Sequence, residues 1–155
     1  DEAQKAWREN QAALLVASNF SVGVNIFFEI NKLLAELMNR HPGYEIITEE
    51  IHHTQKKDAP SGTAITLAEQ ILERISRKSH WVNHFSKDPG ELSIISKRID
   101  PAAGTHSILY HSDIDDIEIK HTAHNRKGFA AGAVVAAEFL AGKKGIYSMK
   151  EVLGL

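Results

Sequence analysis

The alternation of helical and strand periodicities constrains the fold of this chain more than any other feature of its sequence. Apolar residues recur at helical spacing over Val22–Arg40, and the His-Pro-Gly at 41–43 ends that pattern. Glu45–His53 alternates like a strand, and Gly62–Arg77 is again helical. The predicted apolar stripes of the two helices are Phe27, Ile30, Leu34, Leu37 and Met38, followed by Ala64, Leu67, Ala68, Ile71 and Ile75.

Three further strands are predicted in the second half of the chain. They cover Leu92–Ile99, Thr105–Ser112 and Ile117–Ala123, and the polar residues 112–116 suit the turn of an antiparallel hairpin. Residues 78–90 have no clear period and are predicted to be irregular. We therefore expect an α/β fold of the α+β kind, a mixed and largely antiparallel sheet covered by helices.

The two ends of the chain carry their own elements. Residues 1–10 are helix-like, and the apolar run Ala12–Ala17 predicts a short buried strand. A final helix is predicted over Lys127–Ala141, which is rich in alanine and glycine. Since small side chains let two backbones approach each other, this helix is expected to pack closely against the sheet or another helix.

Composition excludes several classes of function. The formal net charge of −2 gives no electrostatic basis for binding nucleic acid or an anionic membrane. The absence of cysteine excludes disulfides, thiol nucleophiles and cysteine metal sites, and fits a reducing compartment. No apolar stretch approaches the roughly 20 residues of a membrane helix. We expect a cytoplasmic protein without nucleic-acid or membrane partners.

The segment from His52 to Ala64 carries the chemistry. Two histidines end a strand, lysines follow, and Ser61-Gly62-Thr63 opens a helix, whose N-terminus favours an anion. Gly62 permits close approach, hydroxyls add donors, and histidines can exchange a proton near neutral pH. The pattern therefore indicates a small anionic substrate that receives a proton. Helix capping by the serine and solvated lysines explain the same residues without a ligand, and the sequence pattern leaves both interpretations open.

A metal site is the weaker interpretation of the nine histidines. His121 and His124 are three apart on a predicted strand, where odd spacing separates their side chains. There is no H-E-x-x-H motif and no cysteine partner. No bound metal is expected. The remaining histidines are scattered along the sequence and are expected at the surface or core edge: His41, His80, His84, His106 and His111.

The string E-x-H-H-x-x-K-x-D-A-P-S-G-T-A at residues 50–64 resembles the signature of the dihydrodipicolinate reductases, nicotinamide-dependent enzymes of the diaminopimelate route to lysine. Residues 19–25, Gly104-Thr105-His106, Ile119–His124 with Arg126, and the closing residues 152–155 match in the same order. The resemblance therefore spans the chain from Ala12 onward.

This resemblance implies a role for each matched residue. His52 would be the acid/base at the substrate carbon, and Lys56 a second proton donor and charge partner. The substrate carboxylates would be bound by His53, Ser61, Gly62 and Thr63, with Arg126 nearby. The nicotinamide end of NADPH or NADH would be lined by Ala17, Ser18, Asn19 and Phe20. The substrate would be 4-hydroxy-tetrahydrodipicolinate.

The resemblance also implies the domain organisation. Residues 1–20 are expected to be a remnant of a nucleotide-binding (Rossmann) domain, 21–125 a substrate-binding and oligomerisation domain, and 126–155 a tail that returns to the first domain. No G-x-G-x-x-G occurs, so the chain is interpreted as a fragment that is inactive by itself. A homotetramer is implied for the family. The alternative is a non-catalytic module that binds dicarboxylates and oligomerises.

Overall fold

The computed structural model describes residues 2–155, without the side chains of residues 3, 4 and 8, and divides them into two compact units. The first unit contains residues 2–26 and 126–155, and the second contains residues 27–125. Helix α2 (Val22–Met38) begins in the first unit and continues in the second. Asp1, which begins the predicted helix-like segment, lies outside the described residues.

The first unit is built on a two-stranded parallel sheet. Strands β1 (Ala13–Leu15) and β7 (Gly145–Tyr147) pair in it. Three helices complete the unit: α1 (Glu2–Asn10), α4 (Lys127–Leu140) and α5 (Met149–Leu153). The helices predicted at residues 1–10 and 127–141 and the strand predicted at 12–17 are therefore present, whereas β7 and α5 were not predicted.

Gly132 explains the small residues of α4. A Cβ placed on Gly132 would lie 1.8 Å from the carbonyl oxygen of Phe20, so the two backbones are in contact there. The close packing is therefore present, but its partner at Gly132 is the backbone just before α2 and not the sheet or another helix. On the same helix Val134 and Val135 are exposed by 56% and 41%.

The second unit is a five-stranded mixed sheet in the order β3-β4-β2-β5-β6. Strand β2 pairs in parallel with β4 and antiparallel with β5, and the two antiparallel pairings are the longer ones. The predicted fold class is confirmed. The strands are β2 (Glu45–His52), β3 (His80–Val82), β4 (Glu91–Arg98), β5 (Gly104–His111) and β6 (Asp116–Ala123).

Three details of the predicted elements were wrong. Residues 78–90, expected to be irregular, contain β3. Helix α3 (Gly62–Leu72) ends five residues before Arg77, and the buried Ile75 that extended its predicted pattern lies beyond the end of the helix. In α2 the buried stripe is shifted, since Ile30 and Leu37 are 45% and 57% exposed. The residues that α2 does bury are Val24, Phe27, Phe28, Asn31, Ala35 and Met38.

Helix α3 buries its predicted stripe against β2, β3 and β4. Asn31 connects α2 to α3 by donating from Nδ2 to the carbonyl of Leu67 (3.1 Å) and to Oε1 of Gln70 (3.0 Å). These contacts join the middle of α2 to α3.

None of the helices in the described part of the chain is long and apolar enough to cross a membrane.

Candidate active site

Strand register brings polar side chains together at the carboxyl end of β2. Alternate residues of this strand are buried, so Glu50 and His52 share one face. Glu50 pairs with His106 on β5, and His52 pairs with Arg98 on β4. Paired positions of neighbouring strands carry their side chains on the same face. The sheet therefore places one carboxylate, one arginine and two histidines close together.

Glu50 is the buried charge of this cluster. It is fully buried, Oε1 accepts from Nη2 of Arg98 at 2.9 Å, and Oε2 is in contact with Nδ1 of His52. Burial opposes ionisation, but the contacts with His52 and Arg98 outweigh it and lower the pKa of Glu50 to about 2. The carboxylate is therefore ionised at neutral pH and only accepts hydrogen bonds.

His106 lies against His52 and Ser61. The two imidazole rings meet edge to face with centroids 5.2 Å apart, and Nε2 of His106 lies 3.2 Å from Oγ of Ser61. Burial, and then the charge of His52, lower the pKa of His106 to about 4. His106 is 5% exposed, so its expected place at the surface or core edge was wrong.

Ser61 begins α3. Its Oγ accepts from the N–H of Ala64 at 3.2 Å, which makes it the N-cap, and Gly62 is the first helical residue. Gly62 is exposed, and a Cβ there would meet nothing within 4 Å. Thr63 is 7% exposed. The capping interpretation of the serine is therefore correct, and it leaves the helix N-terminus open to an anion at Gly62.

The loop between β2 and α3 carries His53 and Lys56. Strand β2 ends at His52, so His53 is already outside the strand, and its carbonyl accepts from the N–H of Lys56 at 3.1 Å. Nζ of Lys56 lies 2.8 and 2.9 Å from the two carboxylate oxygens of Asp58. This ion pair lowers the pKa of the exposed Asp58 carboxyl. Lys56 is therefore ion-paired within its own loop.

Two residues at the end of β4 fasten this loop. Arg98 donates from Nε to the carbonyl of Lys56 (3.3 Å) and from Nη2 to that of Asp58 (2.5 Å). Asp100 accepts from the N–H (3.0 Å) and the hydroxyl (2.6 Å) of Thr54, contacts that lower its pKa. The backbone of the loop is thus tied to the end of β4.

Gly104 leaves room for His52. Its φ is +154°, which favours glycine, and a Cβ there would lie 3.1 Å from Nε2 of His52. This gives a physical reason for the Gly104-Thr105-His106 motif. Gly104 leaves space for the imidazole ring of His52, and the ring of His106, two residues later in the sequence, contacts the ring of His52.

The predicted site residues fall into two groups. His52, His53, Lys56, Ser61, Gly62 and Thr63 belong to the second unit and surround the end of β2. Arg126 and Ala17–Phe20 belong to the first unit. Arg126 is exposed at the N-cap of α4. Asn19 lies in a turn, its Oδ1 accepting from the N–H of Ser21 at 2.8 Å.

The sequence profile described as Dihydrodipicolinate reductase, C-terminus, matches residues 23–153 of this chain. The chain belongs to this family. A dihydrodipicolinate reductase relative from Christiangramia forsetii, named 4-hydroxy-tetrahydrodipicolinate reductase, is 51% identical over 152 residues, which are 98% of this chain and 63% of the relative. A protein of the same name from Methanosarcina mazei is 41% identical over 155 residues, which are 98% of this chain and 58% of that one.

A solved structure supports the same relationship. Dipicolinate-bound dihydrodipicolinate reductase from Paenisporosarcina sp. TG-14 is 25% identical with a TM-score of 0.65, over 94% of this chain and 57% of that one. The chain therefore spans less than two thirds of the length of each of these dihydrodipicolinate reductases.

The sequence patterns did not identify Arg98 and His106 as members of the site. Both lie more than 40 positions from the residues they contact, so no local spacing connects them with His52 or Ser61. The histidine of the G-T-H motif was the available signal.

Glu50, His52 and His106 also offer ligand atoms within 4.8 Å of one another, a donor set that a metal ion can use. The expectation of no bound metal stays a prediction.

Proposed function

We propose that this chain is the substrate-binding part of a 4-hydroxy-tetrahydrodipicolinate reductase, which reduces its substrate to tetrahydrodipicolinate with NADPH or NADH in lysine and diaminopimelate biosynthesis. One observation carries this proposal. The signature segment 50–64 folds around one strand end, where a histidine, a lysine and a helix N-terminus meet. The relatives are reductases by name, which favours catalysis over the non-catalytic module.

The substrate in this proposal is a small ring with two carboxylates. One carboxylate lies at the N-terminus of α3, against Gly62, Thr63 and Ser61. The other replaces Asp58 as the partner of Lys56, with His53 beside it. The family resemblance also names Arg126 as a substrate-binding residue. The description of the Paenisporosarcina relative as dipicolinate-bound supports a planar dicarboxylate as the ligand class.

His52 and Lys56 are the proposed proton-handling residues. A histidine exchanges a proton near neutral pH, and its Nδ1 is engaged by Glu50, so Nε2 is the atom available to the substrate carbon. Lys56 donates a proton and offsets the charge of the dicarboxylate.

The nicotinamide supplies the hydride when it is bound. The proposed contacts are Ala17, Ser18, Asn19 and Phe20, which follow the carboxyl end of β1 in a parallel pair, where ligands of α/β sheets bind. The sequence has no G-x-G-x-x-G, so we propose that these 155 residues by themselves bind the dicarboxylate but do not turn it over.

The proposal includes a cytoplasmic homotetramer without nucleic-acid or membrane partners. Strand β6 lies at the edge of the five-stranded sheet and is largely exposed, which supports assembly through this sheet. Light scattering after gel filtration measures the mass of the assembly. A monomer at all concentrations contradicts the tetramer.

Fusion to the remaining part of the Christiangramia forsetii reductase tests the reaction. The chimera is expected to oxidise NADPH or NADH only when substrate is present, while the 155-residue chain does not, and His52→Asn abolishes the turnover. His84→Asn, at an exposed histidine, is the matched control and keeps it. The intact relative is the positive control. A His52→Asn chimera that binds substrate and turns it over as well as the unsubstituted chimera contradicts the proposed role of His52.

A further inference from the structure

Glu50 is a charge that the fold does not need for packing. A fully buried carboxylate is costly unless it is paired, and an apolar residue of similar volume commonly stabilises such a position at least as well. Oε1 nevertheless accepts a hydrogen bond from Arg98, and Oε2 lies in close contact with Nδ1 of His52. The contacts of Glu50 therefore point to the site at His52 rather than to the core.

The contact between Glu50 and His52 has a chemical consequence. An ionised carboxylate only accepts hydrogen bonds, so its close contact with Nδ1 of His52 favours a hydrogen on that nitrogen. Nε2 is then the atom that accepts a proton and returns it. Gly104 keeps this atom uncrowded, because any Cβ at residue 104 would lie 3.1 Å from Nε2.

Arg98 connects this histidine to the lysine loop. Its Nη2 donates both to Oε1 of Glu50 and to the carbonyl of Asp58, and its Nε donates to the carbonyl of Lys56. The planar fork of arginine permits such simultaneous contacts, whereas a lysine ammonium provides only one point of charge. Both ends of the Lys56–Asp58 ion pair are thus held by the residue that also holds Glu50.

We propose that Glu50 and Arg98 form a positioning pair, in which Glu50 fixes His52 with its hydrogen on Nδ1 and Arg98 sets the distance between His52 and the loop that carries Lys56. This inference rests on the proposed function, in which His52 and Lys56 handle the protons. The pair touches neither substrate nor cofactor in this scheme and acts through the two residues that do.

The chain contains a matched control for this pair. Glu49 and Lys97 form an ion pair one residue earlier on the same two strands, and both side chains are partly exposed. Successive residues of a strand point to opposite faces, so this ion pair lies on the face opposite to Glu50. Glu49→Gln removes an equal charge from the same strand without touching His52.

Nitrogen-15 NMR of the imidazoles reads the hydrogen position directly, and His52→Asn assigns the signal. We expect His52 with its hydrogen on Nδ1 in the wild type and in Glu49→Gln, and loss of this single form in Glu50→Gln. The same spectrum after EDTA treatment is expected to be unchanged. The inference is overturned by a hydrogen on Nε2 in the wild type or by an unaltered His52 signal in folded Glu50→Gln. A spectrum that changes after EDTA treatment also overturns it, because that result indicates a metal bound by Glu50, His52 and His106.

Arg98 is tested separately, which keeps the inference falsifiable when Glu50→Gln does not fold. Arg98→Lys retains the charge but loses the fork, and we expect its affinity for pyridine-2,6-dicarboxylate to fall about tenfold, the value of one charge-assisted hydrogen bond. Lys97→Met is expected to leave the affinity unchanged. Equal affinities of folded Arg98→Lys and wild type overturn the role of Arg98.

The outcomes distinguish this inference from the proposed function. The hydrogen position of His52 is measured without substrate. If the NMR spectra are as expected but the chain binds no dicarboxylate, only the proposed function is contradicted. Dicarboxylate binding with unaltered spectra in Glu50→Gln contradicts the positioning pair alone.

Discussion

Oγ of Ser61 lies 3.2 Å from Nε2 of His106, so the residue that begins α3 also contacts a buried histidine 45 positions later in the sequence. The same hydroxyl accepts from the N–H of Ala64. One side chain therefore joins the helix N-terminus, where an anion is expected, to the histidine cluster at the end of β2.

Ser61→Ala is expected to lower the free energy of unfolding by about 2 kcal/mol, of which about 1 kcal/mol comes from the lost cap and the remainder from a buried His106 without its partner. It should also weaken dicarboxylate binding. Denaturant unfolding and calorimetric titration measure the two effects. Ser148→Ala removes the cap of α5 in the other unit and should cost the capping energy only. Equal effects of the two substitutions contradict the role assigned to Ser61.

The stability of the protein should depend on pH through His106. Its pKa is about 4 in the folded state and ordinarily 6.5, so the unfolded chain binds more protons between these values. Stability is then fully present above pH 6.5 and falls by roughly 3 kcal/mol as the pH drops to 4. Glu50, with a pKa near 2 against an ordinary 4.5, adds a further loss below that window.

His106→Asn removes the first of these two contributions. Denaturant unfolding across pH 4 to 7 should give a flatter profile for this variant, whereas His84→Asn, at an exposed position, should retain the wild-type slope. Identical slopes for wild type and His106→Asn would show that His106 is not held neutral by burial.

Gly104→Ala tests the space beside His52. The positive φ costs an alanine about 1–3 kcal/mol, and the added methyl group would lie against Nε2 of His52. We expect both a lower melting temperature and an altered imidazole signal from His52. Gly43→Ala has nothing within 4 Å of the new methyl group and should leave both unchanged. A normal His52 signal in Gly104→Ala would contradict the close approach.

Gly132→Ala tests the backbone contact within the first unit. Because the new methyl group would lie 1.8 Å from the carbonyl oxygen of Phe20, α4 must shift, at a cost of about 1–3 kcal/mol or more. Thermal unfolding should show the loss. Gly128→Ala, on the same helix with its nearest contact at 3.8 Å, is the comparison and should be nearly neutral. Similar melting temperatures for the two variants would refute the contact.

The long elements of the fold were predictable because their periods extend over many residues. The strands at Leu92–Ile99, Thr105–Ser112 and Ile117–Ala123 begin and end within one residue of the observed ones. The missed elements β3, β7 and α5 have three to five residues, too few to define a period. In α2, Ile30 and Leu37 follow the helical spacing but are exposed, because periodicity finds an apolar face without showing whether it is covered.

The site was predictable only where it is contiguous in sequence. Residues 50–64 contain the histidines, the lysine and the helix start, so their proximity follows from local order. Arg98 and His106 reach the site through the pairing of β2 with β4 and β5, and no sequence spacing encodes that register. The roles of the residues come from the family resemblance, and the geometry adds the physical connections between them.

The most direct test of the dicarboxylate site is calorimetric titration of the chain with pyridine-2,6-dicarboxylate, alongside Lys56→Ala and Lys57→Ala. Lys56 is partly buried and ion-paired at the site, whereas Lys57 is exposed. We predict saturable binding that Lys56→Ala weakens by roughly 10- to 100-fold, the range of about 1.5–3 kcal/mol for a charge-assisted bond, and that Lys57→Ala leaves nearly unchanged. Absence of binding, or equal losses in the two variants, would contradict a dicarboxylate site built on Lys56 and the start of α3.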